Sequence, residues 1–370
     1  MELFKANKQW STRPADETFE SIGALWAATR AYRGSAVEAK EVPVSTLRVE
    51  ATDGELVLLG KAERPATLTN WAFGQLAGRI GAPASYLRDL PATLAAQNVN
   101  HGLKRLADGD AGTTNLLLHK NGSYVVRALT SDKYRRIWNS DVAERLEQLV
   151  EDQPYWKLPQ GYNRFQSETD TRTMAPRGCY ASDHDMFVFL IDEDHPVEVR
   201  GQTQPLKRGF FVWNSEVGAA SFGIMTFLYD AVCGNNIVWG AQNVIETRIR
   251  HVGNNVNARA FGQLAVEVRK YAESSVSDLE AQIETAQTRV IGAKRADVMD
   301  AIFGKRVPGL TRALVGDAYD RAEKVGRYGA PNTVWALVNG ITELSQETTS
   351  GADERAELDR AAGKLMAMDF

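Results

Sequence analysis

Leu116-Leu117-Leu118-His119-Lys120-Asn121-Gly122-Ser123-Tyr124-Val125-Val126-Arg127-Ala128-Leu129 places an apolar run on either side of Asn121-Gly122. Asparagine and glycine both tolerate positive φ, so the stretch predicts two strands closed by a tight hairpin. Just downstream, Ser131-Asp132 can cap a helix from about Lys133 to Val150, with Ile137, Val142, Leu146 and Leu149 on its buried face. The polar stretch 151–177, rich in Gln, Ser, Thr and Pro, reads as a loop. Strands are expected over Gly178–Ile191, Val197–Thr203 and Gly209–Trp213. Ile224–Gly240 is apolar enough for a buried helix, interrupted or ended by Cys233-Gly234-Asn235-Asn236. The order over 114–240 is thus β-β-α, loop, β-β-β-α, an α+β core.

The flanks differ from this centre. Phe19, Ile22, Leu25 and Trp26 recur at helical spacing, Val42–Leu47 and Leu56–Leu59 read as strands, and Asp53-Gly54 is a turn. Thr69 caps a helix carrying Phe73, Leu76 and Ile80 and ended by Gly81; Pro83 and Pro91 start two more short helices. Beyond Arg259 the chain is helical throughout. Its first helix, 259–289, has a possible break at Ser274-Ser275, further helices are expected over 294–303, 308–328 and 331–348, and the charged tail 349–370 should fray. Three regions result: 1–113, an N-terminal α+β and short-helix region; 114–258, the central α+β core; and 259–370, a helical region suited to homo-oligomerisation.

Composition restricts the function classes. Apolar residues make up 44% and charged residues 24%, which suits a folded chain rather than a disordered one. No run approaches ~18 apolar residues, and Met1–Lys8 is polar, so neither a membrane span nor a signal peptide is expected and the location reads as cytoplasmic. Cys179 and Cys233 read as reduced thiols, Cys233 being buried and inert. No GxSxG, GxGxxG or GxxxxGK[ST] occurs, and no histidine lies at ligand spacing from another His or Cys. No catalytic residue, cofactor or metal site is therefore expected. Asp183-His184-Asp185 reads as a polar turn, with a divalent ion there as the one enzymatic alternative.

The net charge of −4 argues mildly against a duplex-DNA binder, but the charge is uneven. Between Lys120 and Trp138, Asp132 alone opposes Lys120, Arg127, Lys133, Arg135 and Arg136. Three clusters stand out: Arg127 with Lys133-Tyr134-Arg135-Arg136-Ile137-Trp138; Lys207-Arg208 leading to Trp213-Asn214; and Arg248 with Arg250. In a helix Tyr134 and Trp138 share a face, and cations beside flat rings suit a single strand, whose phosphates follow charge while its bases stack. The competing reading packs both rings in the core and leaves the cations solvated.

The runs Gly209–Gly218, Cys233-Gly234-Asn235-Asn236 and Arg250-His251-Val252-Gly253 resemble the phage/plasmid-like family of domains of unknown function that includes the YfjQ and YafZ proteins. Leu68-Thr69 to Leu87 and Tyr124 to Ile137 resemble it as well. That resemblance implies a mobile-element origin and carries no catalytic residues. The element order is also similar to phage single-strand annealing proteins of the RecT and Redβ types, which implies single-stranded DNA as ligand and assembly into rings or filaments. On this reading Arg127, Lys133, Arg135, Arg136, Lys207, Arg208, Arg248 and Arg250 contact phosphates; Tyr134, Trp138 and Trp213 stack on bases; and Asn214 hydrogen-bonds the ligand. A second expectation is an assembly or anti-defence protein whose C-terminal helices meet a host protein.

Overall fold

The computed structural model describes residues 15–60, 65–109, 112–159, 178–202, 204–229, 237–238, 246–307, 309–347, 361–366 and 368–370. It is an α+β fold with two sheets and a helical last third.

The hairpin lies at the heart of the first sheet. Its strands are β6 (Thr113–Asn121) and β7 (Ser123–Ser131), and Gly122, at φ 72°, makes the turn between them. Strand β2 (Ala36–Pro43) flanks β6, while β5 (Ala66–Leu68) runs parallel to β7. Next to β5 comes a second hairpin, β3 (Arg48–Thr52) and β4 (Glu55–Leu59). Its turn is Asp53-Gly54 with both residues at positive φ, as the dipeptide predicts. Helices α2 (Asn70–Arg79), α3 (Ala84–Arg88) and α4 (Ala92–Ala107) follow β5 in the chain. Val49, Leu58, Phe73, Leu76, Val99 and Val126 are among the residues of the core they share with the sheet. The Thr69 cap is present: its hydroxyl accepts the Ala72 N–H at 3.1 Å.

The second sheet is antiparallel, in the order β1 (Thr18–Phe19), β9 (Cys179–Ala181), β10 (Met186–Val197), β11 (Leu206–Asn214), β12 (Phe222–Tyr229) and β13 (Ile237–Val238). Strand β8 (Trp156–Lys157) also pairs with β10, and β14 (Glu246–Ile249) with β12. Helices α1 (Ile22–Gly34), α5 (Asn139–Asp152) and α6 (Val256–Ala272) contribute to its core, where Leu25, Val142, Leu146 and Leu264 meet Val188, Phe210 and Ile224. A separate aromatic cluster, containing Phe187, Phe189, Phe211, Trp213 and Phe227, takes the alternate residues of β10–β12.

Several expectations need correction. Ile224–Gly240 does not begin as a helix: Phe222–Tyr229 is a strand buried along its whole length, and its unbroken apolar character reflects burial on both sides rather than helical periodicity. The helix after the hairpin starts at Asn139, not Lys133, so Tyr134 and Trp138 share no helical face. Strand β10 ends at Val197, leaving 198–202 outside any strand. Cys233, Asn235, Asn236 and most of the 151–177 loop lie outside the described residues.

The last third contains α7 (Val276–Thr288), α8 (Arg295–Gly304), α9 (Arg312–Val325) and α10 (Val334–Glu347). The break between α6 and α7 falls at 273–275, where the Ser275 hydroxyl caps α7 by accepting the Asp278 N–H. These helices close on one another and on Val197, Leu206 and Leu228. Residues 361–366 of the tail are helical too, and Ala361, Ala362 and Leu365 are buried in the same core. Among the described residues no helix is long and apolar enough to cross a membrane.

Candidate nucleic-acid interface

The two sheets meet around the loop after β11. Trp71 Nε1 and Gln75 Nε2 of α2 donate to the Val217 carbonyl at 3.1 and 2.8 Å. Arg127 of β7 reaches across to Glu216 at 3.0 Å; the two side chains are 1% and 3% exposed. Arg127 also donates to the Asp183 carbonyl at 2.8 Å, and its guanidinium lies 4.2 Å from the Tyr32 ring centroid. Glu216 Oε1 in turn accepts the Asn139 N–H at 2.8 Å. The first turn of α5 is thus met by a carboxylate 77 residues away in sequence, where an anion complements the helix dipole.

Residues 132–138 ahead of that helix form a turn, an isolated bridge and an irregular segment. Tyr134 forms an isolated antiparallel bridge with Val252, and the Arg135 N–H donates to the His251 carbonyl at 2.7 Å. Asn214 Nδ2 donates to the Ile137 carbonyl and to Asn139 Oδ1, both at 2.8 Å. The Tyr134 hydroxyl donates to the Ser215 carbonyl at 2.8 Å, and its ring stacks on His251 with centroids 5.0 Å apart and planes 8° from parallel. Burial, reinforced by the nearby Arg136 cation, lowers the His251 imidazole to about 4, so it is neutral at pH 7.

The twelve proposed contact residues divide by environment. Arg127, Arg208, Trp213 and Asn214 are buried. Arg208 pairs with Asp192 at 2.9 Å and donates to the carbonyls of Tyr271 and Ser274, each at 3.0 Å, where α6 ends. It therefore closes a helix C-terminus, a place that suits a guanidinium. The Trp213 indole lies over Gly223 of the neighbouring strand, inside the aromatic cluster. Half-buried Trp138 has the guanidinium carbons of Arg33 and Arg136 at 4.8 and 5.4 Å from its ring centroid. Arg136 pairs with Glu38 at 2.8 Å and donates to the Glu216 carbonyl, while Lys207 pairs with Glu193.

Lys133, Arg135, Arg248 and Arg250 are exposed. The Tyr134–Val252 bridge joins their two segments, so the first and third basic clusters come together while Lys207-Arg208 does not join them. Exposed Arg259 belongs to this surface as well, since it donates to the Val252 carbonyl at 2.9 Å. Its place in the first turn of α6, beside the 248–252 run, was the sequence signal for it.

The 182–185 turn is internally bonded. Ser182 donates to Asp185 Oδ1 and His184 Nδ1 meets Asp183 Oδ1, both at 2.7 Å, and this second bond holds the Asp183 carboxyl below its ordinary range. Among the described residues no group of three or more His, Cys, Asp or Glu side chains is placed to hold a metal ion.

No curated protein and no solved structure matches the chain. A sequence family described as a domain of unknown function (DUF932) matches residues 127–365, which run from the buried arginine of β7 through the second sheet apart from β1 and into the helical third. The match takes in well over half of the sequence, and the chain belongs to the DUF932 family.

Proposed function

We propose that the protein binds single-stranded DNA along the surface where residues 133–135 meet 248–252. The supporting observation is the Tyr134–Val252 bridge, which sets exposed Lys133, Arg135, Arg248, Arg250 and Arg259 on adjoining backbone segments. Such a patch creates a local positive field despite the net charge of −4. The rings nearby are already packed, so the strand is held by its phosphates, with little base stacking. Binding in the bacterial cytoplasm as a homo-oligomer, in a mobile-element setting and with strand annealing as the outcome, completes this reading.

The test is anisotropy of a labelled oligonucleotide over a salt series. Affinity should fall steeply, and Arg135→Ala with Arg250→Ala should flatten the log–log slope by roughly one unit or more, since each lost phosphate contact on a single strand removes ~0.7. Binding that is absent, or indifferent to salt, would refute the proposal.

A further inference from the structure

A cavity of about 660 Å³ opens between α2–α3 and the 182–185 turn. One wall carries the Trp71 indole, fixed by its bond to Val217, and the exposed guanidinium of Arg88, which donates to the Asn70 carbonyl. The other wall carries Asp183 and His184, whose imidazole is oriented by the Asp183 carboxylate. The Trp71 and His184 rings are 16° from parallel with centroids 6.4 Å apart. Both rings border the open space, and the His184 side chain is 43% exposed. Two nearly parallel rings offer π-faces to a flat heteroaromatic ligand, and a guanidinium on the same cavity suits a phosphate. The volume lies within the range of small-molecule sites.

We infer that this cavity is a binding site for one nucleotide unit, its base against Trp71 and His184 and its phosphate on Arg88. None of the seam cations lines the cavity, and the site does not require that they hold a strand. A free mononucleotide and a nucleotide within a single strand present the same chemistry.

Calorimetric titration of the full chain with adenosine 5′-monophosphate tests it, with adenosine and a ten-residue oligo(dA) as further probes. Saturable binding of the monophosphate is expected. Arg88→Ala should weaken it about tenfold or more while leaving adenosine binding unchanged, because only the phosphate loses a charge-assisted bond. His184→Ala should weaken both. Gly74→Leu fills the cavity from α2, where a Cβ meets only the Arg88 guanidinium at 3.7 Å, and should abolish binding without lowering the melting temperature. If Arg88→Ala weakens oligo(dA) as well, the occupant comes from a strand; if oligo(dA) is unaffected, it is a free nucleotide. Arg135→Ala with Arg250→Ala should leave monophosphate binding intact, so failure of the seam proposal and failure of this one are distinguishable. No saturation at millimolar monophosphate, or binding indifferent to all three cavity variants, would overturn the inference.

Discussion

Arg127 shows how far a residue's chemistry depends on what faces it. In the sequence it is a cation on a hairpin; in the fold it is the buried partner of Glu216. Removing one member of such a pair strands a charge in a poor solvent, so Arg127→Met should cost roughly 3–5 kcal/mol. Adding Glu216→Gln should recover much of that, since the amide oxygen can still accept the Asn139 N–H. Urea midpoints of the three proteins measure this, and a single-variant loss below ~1 kcal/mol would contradict it. His251 makes the second prediction at this scale. Its imidazole titrates at about 4 in the fold against 6.5 in the unfolded chain, mainly through burial. Between those values the unfolded chain takes up a proton that the folded one refuses, so stability falls as pH drops from 6.5 to 4 and levels off below. His251→Phe keeps an aromatic partner for Tyr134 and should remove up to roughly 3 kcal/mol of that loss, read as the difference between the two proteins' pH profiles. Identical profiles would refute it.

At the scale of elements, legibility followed the range of the deciding contact. Asn121-Gly122, Asp53-Gly54, the Thr69 cap and the break at Ser274-Ser275 are local devices, and each falls where the sequence suggests. The start of α5 is not legible locally because its acceptor is Glu216, far along the chain, and Tyr134 is taken up in a bridge with Val252. Strand β12 is not legible as a strand because an apolar run buried on both sides carries no period of two. What identifies it as a strand is cross-strand packing: Trp213 opposes Gly223 and Phe227 opposes Gly209, each ring lying over the glycine of the neighbouring strand. A Cβ on Gly223 would come within 2.0 Å of the Trp213 ring. Gly223→Ala should therefore destabilise by about 1–3 kcal/mol or more through overpacking. A thermal melt checks it, and a neutral or stabilising effect would show that the ring moves aside freely. The same pairing removes Trp213 from the set of candidate stacking rings, whereas the exposed cations of the seam could be named from sequence but not brought together.

For the whole molecule, the family segment and the physical unit do not coincide. The DUF932 match begins at Arg127, partway along β7, and leaves out β1–β6 and α1–α4. Those elements are not peripheral to the second sheet. Strand β1 pairs with β9, and α1 brings Ile22 and Leu25 to the core that holds Val142, Leu146 and Cys179. Arg33 of α1 pairs with Asp141 at the start of α5, and Tyr32 covers Arg127. A fragment of residues 127–370 would therefore expose one face of α5 and leave β7 without its partners β6 and β5. Burial of apolar area on that scale is what sustains marginal native stability. The fragment is expected to bind a hydrophobic dye, lose near-ultraviolet circular dichroism and unfold without a sharp transition. The full chain is expected to resist limited proteolysis across the 127 boundary. A fragment that unfolds cooperatively with a midpoint near that of the full chain would show instead that residues 15–126 form a separable unit. The contacts of Arg33 with Asp141, Tyr32 with Arg127 and Trp71 with Val217 would then join two such units rather than hold one together.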